Sequence, residues 1–140
     1  MPFAACLLML APAAGASGTR EISVKENASF LPEGNIGVNV VEQGNGSGTF
    51  NGTVSSHLTI NGSFISGTFT FKSRSGTISG RTSANVVGQA ARPIVSFVGS
   101  LSVTSGSGAY AHPTGRLSVS GTIRRRNYAL TELVSGKMQL

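Results

Sequence analysis

A chain of 140 residues, 39% of them hydrophobic, is sized for one domain that can bury a real core. Nineteen glycines, 11% charged residues and no tryptophan suit an all-β protein of many short strands, and a single cysteine excludes a disulfide framework. The formal charge of +6 rests on 11 lysines and arginines against five glutamates and no aspartate; it bears on solubility and on contact with anionic surfaces rather than on fold.

Residues 1–16, MPFAACLLMLAPAAGA, carry no charged side chain, and the apolar run Phe3 to Ala11 ends in Pro12 and an Ala14-Gly15-Ala16 cleavage pattern. The run is too short to span a bilayer, and polar sequence follows it. The expectation is a signal peptide, hence a secreted or otherwise extracytoplasmic protein. A disordered tail is the plain alternative, since no basic residue precedes the apolar run. If cleavage follows Ala16, Cys6 leaves with the leader, and the single domain of residues 17–140 holds together without a disulfide. Nothing else approaches transmembrane length.

Beyond the leader, Arg20 to Asn27 alternates with Ile22 and Val24 on one face, and Ala28 to Asn35 reads as a turn-rich connection. Ile36 to Gln43 reads as the second strand and Gly44 to Gly48 as a loop. Thr49 to Val54 and His57 to Phe71 read as the next two. Asn61-Gly62 is a hairpin-type dipeptide, but Phe64 to Phe71 could instead continue one long, bulged strand. Gly76 to Val86, Ile94 to Thr104, Gly115 to Arg126 and Tyr128 to Gln139 bring the total to about eight, with no helical pattern longer than a turn.

This spacing predicts a sandwich or a barrel. Gly67, Gly80, Gly99, Gly121 and Gly136 decide for the barrel, because they share the parity of their apolar neighbours. An inward glycine lets a strand bend sharply, as the corners of a small closed barrel require. The predicted fold is an eight-stranded antiparallel closed β-barrel, lipocalin-like in architecture.

Ile94 to Ile123 is the most regular stretch, two alternating runs around a Gly/Ser/Pro-rich connector with one tyrosine. The succession Gly76-Thr-Ile-Ser-Gly80, Ser96-Phe97-Val98-Gly99, Ser105-Gly106-Ser107-Gly108-Ala109-Tyr110-Ala111, Thr114-Gly115 and Gly121-Thr-Ile resembles the allene oxide cyclase barrel-like proteins, whose barrel the plant dirigent proteins share. The resemblance covers roughly residues 44–138. The connector of that group commonly reads Gly-Gly-Thr-Gly-Arg-Tyr/Phe-Ala and then Ala-Thr/Ser-Gly, so Ser105, Ala109 and Pro113 depart from it.

The resemblance implies a secreted barrel that holds a small apolar molecule, with cofactor-free cyclase or isomerase chemistry as one outcome. In the plant cyclases a glutamate and an asparagine on an early strand assist. Their nearest counterparts are Glu26 and Asn27, which are adjacent here, so only one faces inward; parity chooses Glu26, with Ile22 and Val24. It also implies a possible trimer or dimer.

Parity places further groups without the family. Glu42 falls with Val38 and Val40, Glu132 with Leu130 and Val134, and Arg125 with Leu117, Val119 and Ile123. Two readings are open at these positions: a polar cluster in an apolar pocket, or strand ends where alternation has stopped mattering. Phe69, Phe71 and Phe97 likewise either line a ligand cavity or fill a small barrel completely. Tyr110, behind Gly106 and Gly108, either plugs the barrel end or touches a ligand.

Other chemistries find little support. With His57 and His112 as the only histidines and no cysteine past the leader, no metal site is expected, and a Ser-His-Asp triad lacks its aspartate. Arg124-Arg125-Arg126 alternates sides in a strand and has only Tyr128 near it for stacking, so no nucleic-acid partner is expected. The Asn-x-Ser/Thr sequons at Asn27, Asn45, Asn51 and Asn61 read as turn and strand composition. The functional expectation is an exported barrel that binds a small apolar ligand. Its rival is a non-catalytic structural or surface-interaction barrel with a filled core, and a cavity of about 300 Å³ or more separates the two.

Overall fold

The computed structural model describes residues 18–32, 39–88, 93–124 and 126–140, the side chains of residues 30–32 excepted. The predicted leader, residues 1–16, and the site candidate Arg125 lie outside the described residues. Eight strands follow one another: β1 (Thr19–Pro32), β2 (Asn39–Gly48), β3 (Gly52–Asn61), β4 (Phe64–Ser73), β5 (Gly76–Val87), β6 (Ile94–Gly108), β7 (Thr114–Arg124) and β8 (Ala129–Gln139). Each pairs antiparallel with the next, and β8 returns to β1, which closes the barrel. No helix among the described residues is long and apolar enough to cross a membrane.

The interior is built by alternation. Ile22 and Val24 of β1, Val54 and Leu58 of β3, Phe69 and Phe71 of β4, Leu117 and Val119 of β7 and Val134 and Met138 of β8 are all buried in one cluster. The residues between them face out and are mostly Ser, Thr, Asn and charged. A small barrel's two faces differ this sharply because each strand has one buried side.

Several strand boundaries differ from the sequence reading. β3 runs unbroken through Ser55 and Ser56, where a break between two strands is predicted, because both pair with β4, and β6 passes its predicted end at Thr104 because Ser105 to Gly108 pair with β5. Pairing with β2 carries β1 on to Pro32, through what reads locally as a turn. Gly44 to Gly48 is strand rather than loop. A Cβ on Gly44 would strike Asn27 and Ala28 of β1, so this glycine marks a close strand approach. Asn61-Gly62 is a true turn, with Gly62 at φ 64°, and the predicted strand from His57 to Phe71 is two strands.

The inward glycines do what parity assigns them. A Cβ on Gly80 would run into the carbonyl oxygen of Ser102, and one on Gly67 into that of His57. At Gly80 the register of β5 on β6 also shifts, leaving Thr104 as the extra residue of a bulge. Gly80→Ala therefore forces backbone, not a flexible side chain, to move. The expected loss is roughly 2–3 kcal/mol in urea unfolding, whereas Gly88→Ala, which meets nothing within 4 Å, loses less despite its φ of +83°.

The β2–β3, β4–β5 and β6–β7 connections gather at one end of the barrel with the chain termini of the sheet. That end is plugged. Tyr110 is buried and packs edge-on against Phe50, ring centroids 5.2 Å apart, while the Arg20 guanidinium lies 5.7 Å from the centre of the Phe50 ring.

Candidate functional site

The opposite half of the interior holds the chemistry. Glu26 of β1 sits directly across from Glu132 of β8, and Glu42 of β2 lies diagonal to them through the β1–β2 register. The three carboxyl groups come within 4.8 Å of one another. Glu26 and Glu42 are 5% and 4% exposed; Glu132 is half-buried as a whole residue, yet its carboxyl is desolvated. Gly121 of β7, opposite Glu132, makes room for it, since a Cβ there would collide with the Glu132 stem.

Ser56, 2% exposed on β3, donates its hydroxyl to Glu42 Oε1 at 2.7 Å. The sequence reading does not single this serine out. Its signal was there, since Ser56 shares the inward parity of Val54 and Leu58.

Burial governs the protonation of the cluster. The Glu42 carboxyl is raised to about 7, chiefly by desolvation and in lesser part by the Glu26 charge, with the hydrogen bonds from Ser56 and Glu132 opposing the rise. Glu132 is pushed well above the usual carboxylate range, first by desolvation, then by hydrogen bonding to Glu26 and by the charges of both neighbours. A carboxyl raised in this way favours its protonated form, whose one O–H can be donated to a neighbouring carboxylate of the cluster. Such a cluster can pass a proton among its members, and the same oxygens are hard ligands of the type a divalent cation takes. The sequence offers two histidines and no cysteine past the leader for a metal; the fold places three carboxylates within 4.8 Å of one another.

Two cavities lie inside the barrel among the described residues. The first, about 30 Å³, is walled by the three glutamates, Ser56, Phe97 and Ile65, among others. The second, about 40 Å³, is walled by Phe71, Ile78, Leu117 and Met138 nearer the plugged end. Glu26, Phe69 and Leu101 border both and form the partition. Spaces of this size hold a water molecule or two, an order of magnitude below a small-molecule pocket of about 300 Å³.

The predicted site residues therefore divide. Glu26, Glu42, Glu132, Phe69 and Phe97 meet around the first cavity, and Phe71 faces the second. Tyr110 borders neither cavity and closes the barrel end. His57 is exposed on β3 and His112 is exposed beyond β6. No family model, no curated protein and no solved structure matches the chain.

Proposed function

We propose that the protein is a non-catalytic β-barrel with a filled core that acts through its outer surface, outside the cytoplasm. The observation that carries this reading is the interior volume: cavities of about 30 and 40 Å³, separated by Phe69, Leu101 and Glu26, leave no room for a ligand larger than water. The extracytoplasmic part rests on the leader pattern of residues 1–16. Kinship with the allene oxide cyclase barrel-like group is part of the proposal and rests on the shared glycine spacing and Tyr110. Fold alone carries no activity across such a likeness.

A second reading is favoured by one specific observation. Three desolvated carboxyls are a costly thing to keep in a core whose only task is packing, and perturbed carboxyls in an apolar hollow are the usual makeup of an acid–base site. On that reading the barrel opens around the partition to take a small apolar molecule against Glu42 and Glu132. Native mass spectrometry of the full chain after incubation with a lipid extract tests the choice. The filled barrel stays free of adduct; a retained adduct that Phe97→Trp abolishes would establish the second reading and sink the first.

A further inference from the structure

Folding sorts the charges of this chain by sign. Arg20, Lys25, Lys72, Arg74, Arg81, Arg116, Arg124, Arg126 and Lys137 are all exposed, whereas Glu21 is the one exposed glutamate among the described residues. Glu26, Glu42 and Glu132 turn their carboxyls inward. The outer wall is consequently more cationic than the formal charge of +6 conveys.

Cross-strand register gathers part of that charge into a row. Thr68 lies opposite Arg81, Arg81 opposite Ser102, Ser102 opposite Arg116, and Arg116 opposite Lys137. Beside it runs a row of hydroxyls in which Ser66, Ser83, Ser100, Ser118 and Ser135 face one another in turn. Arg116 Nη2 reaches across to Ser100 Oγ at 3.4 Å and joins the two rows. Between them a groove of about 520 Å³ is lined by Ser66, Thr68, Arg81, Ser83, Ser100 and Arg116, with no apolar side chain in its wall.

We propose that this groove, on the outer face of β4 to β7, binds an anionic polysaccharide. The proposal rests on the surface-acting reading above and names its partner. Guanidinium groups recognise carboxylate or sulfate through paired charged hydrogen bonds, and the flanking serines offer donors and acceptors to sugar hydroxyls. Arg81 and Arg116 stand two strands apart, roughly 10 Å by strand spacing, about the length of one disaccharide. Arg116 directly opposite Lys137 is a like-charge pair that destabilises the free sheet, only partly offset by Glu21 across from Lys137. A bound anion removes that penalty. The groove has no aromatic side chain on which nucleobases would stack and no apolar side chain to enter a membrane.

The test is affinity electrophoresis of the full chain through gels containing polygalacturonate, dextran sulfate or neutral dextran, with single-stranded DNA and anionic vesicles as competitors. Retardation by at least one of the charged polysaccharides, none by dextran, and weakening with salt are expected. The R81S/R116S variant should bind roughly tenfold more weakly at a melting temperature equal to or slightly above the parent's, since Arg116→Ser relieves the Arg116–Lys137 repulsion, and K72S/R74S should stay within about twofold of the parent. Equal retardation of R81S/R116S and the parent would overturn the proposal, as would no retardation by either polyanion or preferential binding of DNA or vesicles. An adduct inside the barrel would instead remove the filled-core reading, which this assay does not probe.

Discussion

Phe69→Ala is expected to cost about 3–5 kcal/mol and to lower the melting temperature by roughly 10–20 °C, the largest effect of any single truncation in this core. Phe69 is 7% exposed, and its ring stands between the two cavities. Removing it joins them, with the vacated ring volume, into one space on the order of the roughly 150 Å³ that accommodates benzene. Guanidinium unfolding reads the stability loss. Benzene or indole should then raise the melting temperature of the variant and leave that of the parent unchanged. A variant that ignores both probes would mean that the walls, glycine-hinged as they are, have closed on the gap.

Stability is expected to fall as pH rises, the reverse of ordinary acid denaturation. The Glu42 carboxyl lies at about 7 in the folded barrel against 4.5 when exposed, so between these values the folded state binds more protons than the unfolded chain. By linkage the barrel has its full stability below about pH 4.5 as far as this group is concerned, and loses it progressively as pH climbs through 7. The span corresponds to about 3 kcal/mol between pH 4.5 and pH 8, and Glu132, raised for the same reason of burial, extends the loss in the same direction. Urea midpoints at pH 5 and pH 8 measure it. Glu42→Gln keeps a partner for Ser56 and removes the titrating group. Its stability should vary less over this range, and it should exceed the parent at pH 8. A parent whose midpoint rises from pH 5 to pH 8 would show that the cluster is hydrated and ionised in the folded state.

Alternation made the barrel wall legible residue by residue. Ile22, Val24 and Glu26, or Leu130, Glu132 and Val134, can be assigned to the inner face from sequence because the period of two is a local property of extended backbone. The corner glycines were legible on the same ground. Local reading failed where glycine carries two meanings: Gly44 to Gly48 has the composition of a loop, and only the passage of β1 alongside shows that these glycines admit a neighbouring backbone.

What tertiary structure alone decided is everything that depends on closure. Glu26 and Glu132 are 106 residues apart in sequence and become neighbours because β8 pairs with β1 in one particular register. A shift of one residue would have turned one of them out to solvent. The same closure set the sizes of the cavities, since side-chain volumes summed across eight strands determine whether a barrel is hollow. The net charge was readable from composition and the inward parity of Glu26, Glu42 and Glu132 from alternation, but only the wrapped sheet brings their carboxyls together and lines Arg81, Arg116 and Lys137 up on the outer wall. Sequence periodicity determined which way each side chain points, and the nonlocal register of the closed sheet determined what it points at.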